Sequence, residues 1–307
     1  MDALTQEIRN RYIELFNGEP LLVRSPGRIN LIGEHTDYND GFVMPAAIDK
    51  QIIFAIGLSN NSDSQIYAKD FDQHISVDIK NPAKVNKPGW ANYLLGVLFQ
   101  IQQHGHPVQA FNCVFGGNIP TGSGLSSSAA LECGFGFALN ELFSLNIPRL
   151  TIVTMAQWAE HNYVGVKCGI MDQYASVMGK DGSVILLDCR SLQHRYAPID
   201  LSDHIIVLCD TKVKHALVDS EYNTRRLECE EGVRILKKHY PTIQSLRDVS
   251  LEMVNKHKDE LKGKVFDRCF YVVSEIQRVQ AATKDLEAND LKAFGKKMYE
   301  THEGLSK

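Results

Sequence analysis

The spacing of apolar residues changes twice along this chain. Leu4, Ile8 and Tyr12 recur at helical spacing, which predicts an opening amphipathic helix. From residue 21 to about residue 79, short apolar runs and period-two alternation predict strands. From residue 219 onward the chain is charged and its apolar positions are again helically spaced. The pattern predicts an α+β protein with a strand-rich first lobe and a helix-rich second lobe.

The length of 307 residues allows two domains. We place the boundary near residue 200, so that the N-terminal lobe spans 1–199 and the C-terminal lobe spans 200–307. The apolar run Ile205–Cys209 predicts a strand near the start of the second lobe.

Elements of the first lobe can be predicted more closely. Helices are expected at Trp90–Gln103, at about Ser126–Phe143 and at Thr151–Tyr163, with a strand at Phe111–Phe115 between the first two. Asn39-Asp40-Gly41 lies between apolar residues, and a glycine that can take positive φ favours a hairpin turn there.

Composition narrows the class of function. The 33 basic and 37 acidic residues leave a net charge of −4, which creates no global field for nucleic acid or an anionic membrane. The N-terminus lacks a signal-peptide pattern, and no apolar run has the length of a membrane span. The seven cysteines form no CxxC pair, which favours reduced thiols. We therefore expect a cytoplasmic monomer that binds neither nucleic acid nor membrane.

The segment Pro120–Glu132 lies between a predicted strand and a predicted helix. Its glycines let successive backbone N–H groups converge, and a helix N-terminus adds partial positive charge, which favours a polyphosphate site. The segment lacks the lysine of a P-loop, and Ser127 stands where a dinucleotide fingerprint needs glycine. A helix cap with a flexible entry loop is the alternative.

A second cluster places Glu34, His35 and Asp37 within four positions, with Arg28 upstream. Carboxylates accept hydrogen bonds from adjacent hydroxyls, so the cluster suits a sugar. A shared metal is disfavoured because neighbouring residues on an extended chain point to opposite faces. A solvated, turn-rich approach to the hairpin is the alternative.

The third candidate is Asp172, which follows Gly169 among apolar residues, together with Glu160 near a helix end. A carboxylate in apolar surroundings needs a partner or a catalytic task. Taken alone, Asp172 could equally be a helix-start carboxylate, and Glu160 an exposed helical glutamate.

The three segments together resemble known kinases. Gly27–Asn39 looks like the galactokinase signature, and Pro120–Ala130 is similar to the ATP loop of the wider family of galactokinase, homoserine, mevalonate and phosphomevalonate kinases. Cys168–Gln173 resembles the segment that carries the galactokinase catalytic aspartate. Trp90–Tyr93 and Ser220–Arg226 also match in order.

The resemblance implies a two-lobed kinase that uses ATP and Mg²⁺ to phosphorylate galactose, with roles for individual residues. The catalytic residues would be Asp172, as base, and Arg28 beside it. The sugar would be bound by Glu34, His35, Thr36, Asp37, Gly169 and Tyr222. The nucleotide would be bound by Gly122, Ser123, Gly124, Leu125, Ser126, Ser127, Ser128 and, beside the adenine, Trp90. The metal would be held by Ser128 and Glu160.

One feature departs from the resemblance. The family ends with a further glycine-rich motif in its second lobe, and this sequence has none, since Thr301–Ser306 resembles the segment that precedes it. The second lobe is therefore expected to be incomplete, and the chain to look truncated at its C-terminus.

Three rival interpretations stay open at this point. The chain could be a kinase of the same superfamily for N-acetylgalactosamine, arabinose or mevalonate. It could be a non-catalytic galactose and ATP sensor, although such relatives lose part of the serine-alanine loop, which is present here. It could also be an inactive fragment. The kinase interpretation requires the acid cluster at residues 34–37, the glycine-rich turn and Asp172 to meet around a single cleft. Asp172 must lie near Arg28, and the amides of the turn must face both.

Overall fold

A computed structural model describes residues 1–199, 205–209 and 221–306 of the chain. The chain divides into two compact units that do not follow a single cut in the sequence. The first unit contains Met1–Ile29, Ala47–Val166 and Asp172–Met178. The second contains Asn30–Ala46, Lys167–Met171 and the described residues from Gly179 onward. The boundary predicted at residue 200 falls outside the described residues and stays a prediction.

The described strands form two separate sheets. In chain order they are β1 (Leu21–Asn30), β2 (Phe42–Val43), β3 (Pro45–Leu58), β4 (Ser64–Ala68), β5 (Gln73–Val77), β6 (Phe111–Gly117), β7 (Ser183–Asp188) and β8 (His194–Pro198). The first unit holds a five-stranded sheet of order β1-β3-β6-β4-β5. β3 is antiparallel to β6 and β4 is antiparallel to β5, whereas β4 and β6 run parallel.

The helices are those of a layered α+β protein. They are α1 (Ala3–Phe16), α2 (Ala91–Gln103), α3 (Ser127–Leu142), α4 (Arg149–Ala159), α5 (Met171–Met178), α6 (Glu221–Leu236), α7 (Leu251–Lys256), α8 (Lys264–Glu287) and α9 (Leu291–Leu305). A one-turn π-helix, Glu160–Val164, continues directly from α4.

The core of the first unit follows from the period-two pattern of its strands. Ile53 and Val114 face α1, where they pack with Ile8 and Tyr12. Alternate residues point the other way, and a Cβ on Gly134 of α3 would lie 2.4 Å from the ring of Phe54. The sheet is therefore covered by α1 on one face and by α3, with α2 and α4 against it, on the other.

The second unit combines the three-stranded sheet β2-β7-β8 with helices α6 to α9. Its core is formed largely by α6 and α8, with Cys229, Leu236, Cys269 and Val272 almost fully buried. The α+β class is confirmed, as are the helices predicted at 90–103 and 126–143. The helix predicted at 151–163 is α-helical only as far as Ala159 and continues as the π-helix to Val164. Among the described residues, no helix combines the length and apolar character that crossing a bilayer requires.

Two local predictions were wrong in detail. Residues 205–209 form no strand, and Ile205 and Val207 are mostly exposed. An apolar run becomes a strand only where another strand pairs with it. The chain does turn back near residue 40, since Leu31 and Ile32 exchange backbone hydrogen bonds with Met44. However, a 3₁₀ turn intervenes, and Asp40 rather than Gly41 has positive φ, at 58°.

Candidate active site

Arg28 and Asp172 form the charged centre of the first unit. Arg28 lies on strand β1. Its Nε and Nη2 atoms donate hydrogen bonds to the two carboxylate oxygens of Asp172, each at 2.8 Å. Its third nitrogen, Nη1, donates to the carbonyl of Gly124 at 2.6 Å. Their side chains are only 13% and 25% exposed, so solvent screens the bidentate pair incompletely. The predicted proximity of Arg28 and Asp172 is confirmed.

The glycine-rich turn is held against this pair by backbone contacts. Arg28 N–H donates to the carbonyl of Leu125 at 3.1 Å. A side chain on Gly27 would place its Cβ 2.8 Å from that same oxygen, which explains why glycine stands there. Leu125 itself is buried, whereas Gly122 and Gly124 are exposed and have φ of 73° and 75°. The turn therefore offers its backbone, rather than bulky side chains, to a ligand.

The three serines after the turn have different surroundings. Ser126 occupies the N-cap position of α3 with a left-handed backbone, φ 57°, and makes no side-chain cap. Its hydroxyl instead donates to Asp172 Oδ2 at 2.5 Å. A non-glycine residue in this conformation is unusual, and this hydrogen bond helps to fix it. Ser127 and Ser128 begin the helix and are half-buried.

Behind Asp172 lies a pair of buried carboxyl groups. Glu160, the first residue of the π-helix, is 4% exposed, and Glu132 of α3 is fully buried. Gln173 Nε2 donates to both, at 2.7 Å to Glu160 Oε2 and 3.3 Å to Glu132 Oε2. Burial, and then the charge of Glu160, raises the pKa of Glu132 well above its usual value. Two adjacent buried carboxyl groups disfavour the ionisation of both at once.

Trp90 lines a separate cleft of the same unit. The cleft has a volume of about 760 Å³ and is lined by Phe71, Gln73, His74, Lys87, Pro88, Gly89 and Trp90. Trp90 Nε1 donates to Gln73 Oε1 at 2.9 Å, which fixes the indole ring. An aromatic wall beside a lysine suits a planar, anion-bearing ligand.

In the second unit, three rings gather around His35. The ring centres of His35, Tyr38 and Tyr222 are 5.5 to 5.8 Å apart in every pair. The Tyr38 hydroxyl lies 2.9 Å from His35 Nδ1. Burial, and then the charges of Arg225 and Arg268, lowers the pKa of His35 to about 4. His35 is therefore a neutral imidazole at physiological pH.

The acids of the predicted sugar cluster lie in the same unit. Asp37 is 9% exposed and Oδ1 accepts from the backbone N–H of Tyr38 at 3.0 Å. A Cβ on Gly169 would fall 1.8 Å from Asp37 Oδ2, so this carboxylate depends on a glycine opposite it. Gly169 N–H also donates to the Tyr222 hydroxyl at 3.3 Å. Glu34 Oε1 accepts from Asn30 Nδ2 at 3.1 Å.

Thr36 corrects one expectation. It is fully buried, and its hydroxyl lies 2.8 Å from the carbonyl of Gly33 and 2.6 Å from that of Phe42. The hydroxyl therefore closes the loop from inside and is not available to a sugar. A residue that lies between predicted sugar-binding residues in the sequence need not face the sugar, because the turn points neighbouring side chains in different directions.

Sequence reasoning missed Glu132, Gln173 and Tyr38. Glu132 stands four residues after Ser128, a spacing that places both on one helix face, and this could have drawn attention to it. Gln173 and Tyr38 each adjoin a predicted site residue. Nothing in the sequence indicates that one amide would link the two carboxyl groups.

Two family models match the regions that carry these groups. The galactokinase galactose-binding signature matches residues 10–58, and the GHMP kinases N terminal domain matches residues 92–180. Among curated relatives, a galactokinase from Roseiflexus sp. is 39% identical over 302 residues, which cover 98% of this chain and 77% of the relative. The chain belongs to the galactokinase family.

Other comparisons agree with this family and its fold. A galactokinase from Clostridium acetobutylicum is 42% identical over 92% of this chain and 73% of its own length. The crystal structure of Lactococcus lactis galactokinase complexed with galactose superposes with a TM-score of 0.89 at 33% identity, covering 98% of this chain and 79% of that one. Methanococcus jannaschii mevalonate kinase, with a TM-score of 0.54 and 16% identity over 80% of both chains, shares the fold.

The predicted ATP-dependent phosphotransferase class is confirmed by this family membership. The chain spans roughly three quarters of the length of these relatives, 77% and 73% for the two curated ones. The roles predicted for individual residues go beyond what the family match shows.

Proposed function

We propose that this galactokinase-family chain transfers the γ-phosphoryl group of ATP to the C1 hydroxyl of α-D-galactose, which gives α-D-galactose 1-phosphate. The observation that carries the proposal is the pairing of Asp172 with Arg28 directly against the glycine-rich turn. The proposed setting is the cytoplasm, where ATP is available.

Asp172 is the proposed base. Its carboxylate takes the C1 hydroxyl proton as the hydroxyl oxygen attacks phosphorus. The bidentate contact from Arg28 fixes the orientation of the carboxylate, and the Ser126 hydroxyl donates to one of its oxygens. Arg28 also supplies positive charge close to where charge develops on the transferring phosphoryl group.

The turn and the first residues of α3 bind the phosphates. Positive φ at Gly122 and Gly124 lets the backbone of the turn curl around an anion, and the N-terminus of a 16-residue helix adds favourable partial charge. Ser123 is tied by its hydroxyl to the carbonyl of Pro120 at 2.6 Å, so it shapes the turn. Trp90 forms the wall of the adenine cleft.

The residues present fit Mg²⁺. Ser128 and Glu132 lie four residues apart and therefore share a face of α3. Gln173 donates hydrogen bonds to both Glu132 and Glu160, so this face of α3 is the one near Glu160. A hydroxyl and a carboxylate are the oxygen ligands that this hard cation prefers. Bound there, the metal would neutralise charge on the phosphates. Gln173 holds the Glu160 carboxylate in place by donating to it at 2.7 Å.

The sugar hydroxyls are bound by Glu34, His35, Asp37, Tyr222 and the backbone of Gly169. A neutral His35 with Nε2–H can accept a hydrogen bond from the Tyr38 hydroxyl at Nδ1 and donate one from Nε2. Acceptors that are positioned for the axial hydroxyl of galactose include one that stays unpaired when the epimer glucose binds. Leaving a buried polar group unpaired costs binding free energy. This selects galactose over glucose.

A coupled ADP-release assay tests the proposal with galactose, glucose, N-acetylgalactosamine, arabinose and mevalonate as acceptors. Galactose should give the highest kcat/KM. A higher value for any other acceptor would reassign the substrate. Binding of both galactose and ATP without ADP release would favour the sensor interpretation.

A further inference from the structure

Outside the proposed active site, the second unit gathers His239, His257 and Glu260 on its surface. One possible ligand atom from each of the three side chains lies within 4.8 Å of the other two. Among the described residues, these three form a group that could hold a metal ion. His239 follows the end of α6, His257 caps the end of α7, and Glu260 lies in the following turn.

The two imidazoles converge on one carboxylate. His239 Nε2 lies 2.9 Å from Glu260 Oε1, and His257 Nδ1 lies 2.9 Å from the same oxygen. The rings stack with centres 3.9 Å apart and an angle of 25° between their planes. The three ligand atoms therefore lie close enough to contact a common ion, which would replace the two hydrogen bonds between the neutral imidazoles and the carboxylate.

His257 is held in the orientation that a metal ligand requires. Its side chain is only 10% exposed, and its other nitrogen, Nε2, lies 3.4 Å from the Tyr240 hydroxyl. Histidines that bind metals commonly have a hydrogen-bond partner for their second nitrogen, which fixes both the tautomer and the ring. His239 and Glu260 are more exposed, at 37% and 44%, so an ion can reach the site from solvent.

We propose that His239, His257 and Glu260 bind a divalent transition ion of the Zn²⁺ type, with water completing the coordination. Two imidazole nitrogens and one carboxylate oxygen suit Zn²⁺, Co²⁺ or Ni²⁺ and do not suit Mg²⁺, which prefers oxygen ligands alone. The bound ion ties the end of α6 to the end of α7. It therefore stabilises the second unit and takes no part in phosphoryl transfer.

The test uses the full chain in a Cys209→Ser background, because Cys209 is an exposed thiol that could bind Zn²⁺ by itself. Zn²⁺ is titrated calorimetrically, and Co²⁺ binding is followed by visible absorption, both in excess Mg²⁺. We expect one tight Zn²⁺ site per chain. His239→Ala and Glu260→Gln should each weaken binding by at least about tenfold, and Tyr240→Phe by less.

Asp259→Asn is the matched control, since it removes one carboxylate charge beside Glu260 without removing a ligand. It should leave Zn²⁺ affinity unchanged. Zn²⁺ should also raise the Tm of the parent and of Asp259→Asn but not that of His239→Ala. Equal affinities in all variants, or equal losses in Glu260→Gln and Asp259→Asn, would overturn the proposal. His239 is exposed, so its variant is expected to fold.

Discussion

The side chains around Asp172 and those around His35 are held in place by different kinds of interaction. In the first unit, Arg28 and Asp172 make a bidentate ion pair that also engages the backbone of the turn. In the second unit, His35 is neutral and packs with the rings of Tyr38 and Tyr222. The first group is dominated by full charges and the second by hydrogen-bond direction and close packing.

This difference matches the two tasks proposed for them. Phosphoryl transfer moves charge, so ionised groups held in fixed positions lower its barrier. Recognition of a neutral sugar needs donors and acceptors at fixed angles, and a charged imidazole would add a desolvation cost without improving the fit. Substitutions in the first group should therefore reduce kcat, and substitutions in the second should raise KM or change stability.

The largest effect is expected for Asp172→Asn. The amide keeps the size of the side chain but cannot take the proton, so kcat should fall by about 10²–10⁴-fold. ATP affinity, measured calorimetrically, should change little. Asp181→Asn, at an exposed carboxylate in the turn before β7, is the control. Turnover close to the parent rate in Asp172→Asn would remove Asp172 from the role of base.

Arg28→Lys should have the next largest effect. Lysine keeps the charge but lacks the planar fork that contacts both oxygens of Asp172 and the Gly124 carbonyl at once. We expect kcat to fall by about 10²-fold, measured by steady-state kinetics. Arg24→Lys, on the same strand and paired with the exposed Asp2, should be silent. Similar kinetics in both variants would show that charge alone suffices.

In the second group, Gly169→Ala tests close packing. The added Cβ would displace the Asp37 carboxylate, which lies 1.8 Å from its position. We expect the galactose KM to rise by about 10–100-fold, as for loss of a hydrogen bond to a charged group, with a smaller change in kcat. Asp37→Ala should raise it similarly.

Gly295→Ala is the control for this substitution, because nothing lies within 4 Å of its Cβ position in α9. It should leave the galactose KM unchanged and stabilise the helix slightly. An unchanged KM in both Gly169→Ala and Asp37→Ala would exclude Asp37 from the sugar site.

The smallest effect concerns stability rather than catalysis. Because the folded-state pKa of His35 is about 4 against an ordinary 6.5, the unfolded chain binds more protons between these values. The free energy of unfolding should therefore fall as the pH drops from 6.5 to about 4, by up to about 3 kcal/mol from this residue. His35→Asn, which tolerates the φ of 65°, should lessen this dependence.

Urea unfolding of the parent and of His35→Asn at pH 7 and at pH 4.5 gives the comparison. Carboxylates titrate in both proteins, so the difference between the two curves isolates His35. Parallel pH profiles would contradict a neutral, buried imidazole in the parent.

Local patterns in the sequence were sufficient for much of the fold and for several members of the site. Helical spacing located both ends of α2 and α3 to within one residue and the start of α4 to within two, whereas α4 ends four residues before the predicted end. Glycines at 122 and 124 indicated a turn that curls backbone amides together, and both have positive φ. These features depend on neighbours within a few residues, where backbone sterics and side-chain period act directly.

Only the tertiary structure decided which distant groups meet. Gln173 joins Glu132 to Glu160, Asp37 faces Gly169, and Thr36 turns inward, and none of these follows from spacing along the chain. The same holds for Ile205–Cys209, whose apolar composition is typical of a strand but which pairs with no strand among the described residues. Sequence determines local conformation and chemical type. Contacts between remote residues, and the burial that changes their pKa values, arise only when the chain packs.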